Sequence, residues 1–264
     1  MPVVNLHDFR FLLQGKHIEP LRSDQANLLE SVDRRGPGRE RALLMLHGFS
    51  SSPAVFRVML PELTMYDAVV CPVLPGHAES IAVFSNATAQ DWIAAAVAAC
   101  SALLDEYKTV DVLGFSLGGL LACYLSQRFT LNRLFLLAPA LFMKRSVSAT
   151  LFCARLAQAL GFRLLHNRGG NLYTHRYPEL TYRQLPVTTI IEILTLINDY
   201  HFELPTCPTE LFLGRFDEVV DSSAVAKCFE KASMVNIHWL EHSAHVLPLD
   251  GDIKTIVKCL NQRL

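Results

Sequence analysis

The sequence predicts an α/β protein built on a mostly parallel, doubly wound sheet. Three observations carry that reading: short, uniformly apolar runs recur along the chain, helix-patterned segments separate them, and capping residues mark where several helices begin. The chain has 264 residues, of which 51% are hydrophobic and 19% charged. That is ample material for a large core and excludes a mainly disordered protein.

The apolar runs at residues 42–46, 67–71, 109–115, 134–138, 209–213 and 235–240 have the length and composition of strands buried on both faces. Ser50, Ser51 and Ser52 are ready caps for a helix expected over 53–63. Thr88 and Asp91 have capping-box spacing and open a helix through about 106. Further helices are expected over 120–127, from Asp221 or Ser222 to about 231, and over 252–262. Residues before about 35 are expected to add edge strands, and Gly36-Pro37-Gly38-Arg39 is a turn before the first core strand.

The rhythm breaks once. Residues 141–205 separate two expected strands by far more than a simple crossover. They hold helix-like pieces at 148–165 and 188–200, joined by a turn at 167–171. The division expected is therefore a core of residues 1–140 and 206–264, with 141–205 as an insertion and candidate lid.

With 24 basic and 25 acidic residues the formal charge is −1, so no overall basic field exists to hold nucleic acid. Locally the balance differs. Residues 141–185 contain Lys144, Arg145, Arg155, Arg163, Arg168, Arg176 and Arg183 against one acid, Glu179, a local charge of +6. Such a segment is either a solvated surface or one that attracts anionic substrates or anionic lipid.

Seven scattered cysteines, an odd number set mostly beside apolar residues, suit free thiols in a reducing compartment. No CxxC or CxxH pair suggests a metal. The first twenty residues lack a basic start followed by a long apolar run, and no apolar stretch is long enough to span a bilayer. The expectation is a soluble, cytoplasmic protein with no metal and no organic cofactor.

The strongest chemical signal is Gly114-Phe115-Ser116-Leu117-Gly118-Gly119. It follows a strand and opens a helix, so a sharp turn would push the Ser116 hydroxyl out at the carboxyl end of the sheet. The bland alternative is a serine in a tight structural turn. A serine nucleophile needs a base, and the base needs orienting. Asp217 lies just after the 209–213 strand, with Glu218 and Asp221 as rivals, Asp221 being better used as a helix cap. His245 and His242 follow the last strand.

Leu46-His47-Gly48-Phe49 ends another strand at the same edge. The backbone N–H groups of Phe49 and Leu117 are therefore assigned to an oxyanion hole. His47 is read as holding its loop, with substrate contact as the alternative. His77 is read as a loop brace. In the insertion, Phe152, Leu156, Leu160 and Leu164 recur every four residues, and Phe142 and Phe162 add bulk. Part of that set, Phe142, Phe152 and Leu156, is expected to line a substrate pocket, the rest to pack. Two patterns are set aside: His245 to Asp250 has an acyltransferase-like spacing, and Gly118-Gly119 lacks the rest of a dinucleotide fingerprint.

Taken in order, His47-Gly48-Phe49, Leu74-Pro75-Gly76-His77, Asp91-Trp92, the Ser116 motif, Gly214-x-x-Asp217-x-x-Val220 and Ser243-Ala244-His245-Val246-Leu247-Pro248-Leu249-Asp250 resemble the α/β-hydrolase superfamily, in its carboxylesterase and monoacylglycerol-lipase-like branch. The resemblance covers about residues 42–264, broken by the insertion, which resembles the family's cap. It implies an α/β-hydrolase fold, with Ser116 as nucleophile, Asp217 as acid and His245 as base, His245 being preferred over His242 by the family's pattern. Ala244 and Ala78 stand where the family often has glycine, which bears on loop shape and substrate access. The implied reaction is hydrolysis of a small carboxylic ester, such as a short- to medium-chain acyl ester or a monoacylglycerol. The same triad would also serve a thioesterase, an acyltransferase or a C–C bond hydrolase, and the rival from another class is a catalytically silent binding protein.

Overall fold

The computed structural model describes residues 4–262. In chain order the strands and helices are β1 (Phe9–Leu13), β2 (Lys16–Pro20), β3 (Val32–Arg35), β4 (Arg41–Leu46), β5 (Ala68–Cys71), α1 (Ile81–Phe84), α2 (Ala89–Glu106), β6 (Thr109–Phe115), α3 (Leu117–Ser126), β7 (Arg133–Leu137), α4 (Val147–Ala159), β8 (Leu164–His166), β9 (Glu179–Tyr182), β10 (Gln184–Pro186), α5 (Val187–Asp199), β11 (Thr209–Gly214), α6 (Ser222–Phe229), β12 (Val235–Leu240) and α7 (Ile253–Leu260).

Seven strands form the central sheet in the order β12-β11-β7-β6-β4-β5-β3. All neighbours run parallel except β3, which pairs antiparallel with β5 at the edge. The six expected core strands match β4, β5, β6, β7, β11 and β12 to within a residue at each end. Successive side chains of a strand point to opposite faces. Thus Ala42, Leu44 and Leu46 of β4 enter one buried cluster while Leu43 and Met45 enter a second, across the sheet. Burial on both faces explains why these strands read as unbroken apolar runs.

Helix starts follow the caps. The Thr88 side chain accepts the Asp91 N–H, and an Asp91 carboxylate oxygen accepts the Thr88 N–H at 2.9 Å. Asp221 caps α6 through the Ala224 N–H at 3.1 Å. Two expected helices differ. Residues 53–63 form only short 3-10 turns, Pro53–Phe56 and Leu60–Glu62. Pro61 cannot donate to the helical ladder and its ring crowds the preceding turn. The helix expected to reach residue 165 ends at Ala159, because Gly161 adopts φ 87° and turns the chain into β8.

The N-terminal segment also differs from expectation. Only β3 joins the central sheet. β1 and β2 instead form a three-stranded antiparallel sheet with β9, which lies inside the insertion. Phe9 and Phe11 of β1 are buried there, and the Phe9 ring lies 4.5 Å from that of Tyr182. β1 thus pairs with the insertion rather than with the central sheet, while Phe9 and Phe11 join the buried cluster on one face of that sheet. Among the described residues, no helix is long and apolar enough to cross a membrane.

Candidate active site

Four chain segments meet at the carboxyl edge of the central sheet, where open α/β sheets place ligands. β6 lies between β4 and β7, with Leu46 level with Gly114 and Phe115 level with Leu137. The loops leaving β4, β6, β11 and β12 therefore converge.

Ser116 forms the turn between β6 and α3 with φ 53° and ψ −113°, a conformation that costs a non-glycine residue free energy. The surroundings hold it there. Its N–H donates to Leu137 O at 3.0 Å, and its carbonyl accepts from Leu120 at 3.1 Å and Ala140 at 3.0 Å. The flanking glycines permit the close passage: a Cβ on Gly114 would meet the Gly118 carbonyl, and one on Gly118 would meet the Leu46 carbonyl.

The Ser116 Oγ lies 3.2 Å from His245 Nε2, and His245 Nδ1 lies 2.9 Å from an Asp217 carboxylate oxygen. The other Asp217 oxygen accepts the N–H groups of Val219 and Val220, each at 2.8 Å. The Asp217 carboxylate is thus aimed by its own loop. Its rivals are elsewhere: Asp221 caps α6 and Glu218 is exposed. His242 is also exposed, 3.5 Å from Asp252.

Burial pulls the His245 imidazole down, but the Asp217 carboxylate and its hydrogen bond, with Glu179 adding attraction, raise it above its usual 6.5. An imidazole held between a hydroxyl and a buried carboxylate can accept the hydroxyl's proton.

The oxyanion assignment has a defined geometry. His47 Nδ1 donates to Gly48 O at 2.9 Å, while His47 Nε2 accepts the Leu74 N–H at 3.0 Å. Because the peptide is planar and trans, fixing the Gly48 carbonyl aims the Phe49 N–H the opposite way. Burial lowers the His47 pKa to about 4, so the ring is neutral and can both donate and accept. His47 is spent on this loop and does not line the cavity. Phe49 and Leu117 both line it, and neither N–H donates within the protein among the described residues. His77 packs 5.0 Å from the His47 ring, beneath Phe84 and Trp92.

A cavity of about 210 Å³ lies over Ser116. Its apolar wall comes from Ile193, Leu194 and Ile197 on α5, with Met143, Leu185 and Val219. Phe142, Phe152 and Leu156 are not part of it; all three are exposed. The reason is helix phase. α4 buries Leu151 and Ala154 against α5, which turns Phe152 and Leu156 outward.

Two functional candidates had no motif to mark them. Glu179 is buried at the start of β9, lines the cavity and accepts the Gly170 N–H at 2.8 Å. Burial raises its pKa, opposed in part by that N–H, His245 and Arg57. Its solitary charge among basic residues was the one signal available.

Asn171 is the second. Its side chain donates to Phe216 O at 2.7 Å and accepts the Glu218 N–H at 3.1 Å. Its backbone carbonyl accepts the N–H groups of His245 and Val246 at 3.1 and 3.2 Å. One residue of the insertion thus ties the Asp217 loop to the His245 loop. Asp250 braces the His245 loop from the other side, accepting from Ala244 at 2.8 Å and from Tyr173 at 2.7 Å.

Among the described residues, one group of potential metal ligands lies away from this site: Glu210, His238 and Cys259, at the amino end of β11. Glu210 is already engaged by His238 at 2.6 Å and by buried Arg133 at 3.2 Å. The guanidinium supplies the positive charge an ion would bring.

The chain is similar to known proteins over most of its length. It is 25% identical over 226 residues to a thermostable monoacylglycerol lipase of Bacillus sp. (strain H-257), covering 82% of this chain and 87% of that one. It is 21% identical over 222 residues to a carboxylesterase of Bacillus subtilis (strain 168), covering 81% and 88%. Among solved structures, one from a study of LipS and LipT, two metagenome-derived lipolytic enzymes, superposes with a TM-score of 0.78 at 24% identity, covering 88% of this chain and 95% of that chain. The model of the alpha/beta hydrolase family matches residues 43–252. With that match spanning most of the chain, and with the sheet order and strand–serine–helix turn described above, the chain belongs to the α/β-hydrolase family.

Proposed function

We propose that the protein is a carboxylic ester hydrolase that works through Ser116, His245 and Asp217 and an acyl-enzyme. The observation that carries this reading is the 3.2 Å approach of Ser116 Oγ to His245 Nε2 at a strained strand–helix turn. His245 takes the Ser116 proton as Oγ attacks the ester carbonyl. The Phe49 and Leu117 N–H groups receive the developing oxyanion. His245 then protonates the departing alcohol, and a water activated by the same imidazole releases the acid. Asp217 holds the tautomer with the proton on Nδ1 and stabilises the imidazolium. None of these steps calls on a metal or cofactor.

Residues 141–205 act in this reading as a cap, since α5 and Leu185 supply the wall over Ser116. A cavity of about 210 Å³ over Ser116 favours short- to medium-chain acyl groups over bulky ones. The acyl chain lies against Ile193, Leu194 and Ile197, and the Glu179 carboxyl suits a hydroxyl of the alcohol, as in a monoacylglycerol. The similarity to a monoacylglycerol lipase and a carboxylesterase supports the same class.

The test is direct. Ser116→Ala lowers kcat on a nitrophenyl ester by on the order of 10⁴–10⁶. A fluorophosphonate labels the wild type at Ser116 and leaves the variant unlabelled. Wild-type turnover by Ser116→Ala would overturn the assignment.

A further inference from the structure

The insertion carries an apolar surface that the fold leaves uncovered. The inner side of α4, Leu151 and Ala154, packs with Leu194 of α5. On the outer side Phe152 is 69% exposed, Leu156 49% and Leu160 68%, and Phe162, just past the helix end, is 57% exposed. Positions 152, 156 and 160 are four apart and stack along one helix face. Leu164 and Leu165 of β8 are exposed as well. Six large apolar side chains left in water along one short stretch mark an interaction surface.

The charge around this stretch is unneutralised. Arg145, Arg155, Arg163, Arg168 and Arg183 make no ion pair, side-chain hydrogen bond or ring contact among the described residues. By contrast, every described arginine outside the insertion has at least one such partner. Two of the unpaired arginines also line a cavity beside the site. A wider cavity of about 640 Å³ shares Met143, Leu194 and Val219 with the catalytic one. Arg145 and Arg168 line it, with Glu218 as its one acid.

We propose that the outer face of α4, with the arginines around it, is a docking surface for an anionic lipid bilayer. Phe152, Leu156, Leu160 and Phe162 enter the headgroup–acyl boundary, and the arginines meet lipid phosphates. Charge decides this occupant over a second copy of the chain. A two-fold contact would set the same patch, from a segment of charge +6, against itself. Thr150 of α4 lines the cavity that holds Arg145 and Arg168, so docking through α4 brings the surface beside that cavity.

The experiment is co-sedimentation of the full chain with phosphatidylcholine vesicles, with and without phosphatidylglycerol. Binding is read without turnover, so the result stands apart from the esterase reading. The wild type binds the anionic vesicles, less so as salt rises, and leaves the neutral ones. Arg155→Gln with Arg163→Gln lowers partitioning about thirtyfold. Phe152→Ser with Leu160→Ser lowers it about tenfold or more. Both variants keep the melting transition and soluble-ester turnover of the wild type. Equal binding to neutral and anionic vesicles, no binding, or unchanged binding by the arginine variant overturns the proposal. So does a wild-type dimer by light scattering that the Phe152→Ser, Leu160→Ser variant dissolves.

Discussion

The backbone carbonyl of Asn171 accepts the N–H of His245 at 3.1 Å, while the Asn171 side chain bridges Phe216 and Glu218 on either side of Asp217. A single residue of the insertion therefore helps set the spacing between His245 and Asp217. Asn171→Ala removes both side-chain bonds and is expected to cost about 1–3 kcal/mol of stability. It is also expected to lower kcat about tenfold, with KM little changed, because the acid–base geometry loosens. Asn171→Asp keeps the acceptor for Glu218 but not the donor for Phe216, and should fall between. Denaturant titration alongside steady-state kinetics checks both parts, and an unchanged kcat in Asn171→Ala removes the residue from the machinery.

In the proposed mechanism His245 acts as base only while Nε2 is unprotonated. Asp217 and Glu179 hold its pKa above 6.5, so kcat/KM should rise with pH through an apparent pKa above that value. Glu179→Gln should move this acid limb downward with the triad otherwise intact. Asp217→Asn should move it further and lower kcat by on the order of 10⁴. The stability sign is opposite. The protonated His245–Asp217 pair favours the folded state below the unfolded-state value, and that contribution is lost as pH rises through the higher folded value. A pH–rate profile read beside pH-dependent melting separates the two.

The cavity wall belongs to α5 and not to α4, which gives a contrast between helices. Ile197→Trp fills space beside Ser116 and should shift preference to shorter acyl esters, with kcat/KM on longer chains falling about tenfold or more. Phe152→Ser, on the exposed face of α4, should leave the chain-length profile of soluble esters unchanged. A nitrophenyl ester series measures both, and a changed profile in Phe152→Ser would restore α4 to the pocket.

The parts of this fold legible in the sequence are those where local pattern and burial agree. The strands from Arg41–Leu46 to Val235–Leu240 are apolar because both faces are covered. Ser116, Asp217 and His245 follow such strands, so a meeting at one sheet edge could be anticipated, though only the family's pattern favoured His245 over His242. What could not be read depends on long-range pairing or helix phase. Nothing in Phe9–Leu13 says that its partner is Glu179–Tyr182 rather than the central sheet. The four-residue repeat of Phe152, Leu156 and Leu160 marks one helix face correctly but cannot say which way it points. Asn171 acts half through its backbone carbonyl, a group every residue has, so its type carried no signal.

The pairing of β1 with β9 changes how the insertion is held. A segment inserted in mid-chain is ordinarily tied to its host at two points, where it leaves and where it returns. Here β1 and β2 add a strand pairing to those two points and to the hydrogen bonds of Asn171 and Tyr173, so Phe9–Leu13 backs the strand that carries Glu179. In this protein, trimming the chain back past Phe9–Leu13 would strip the partner from the strand that carries Glu179 and leave that side of the cavity without its backing.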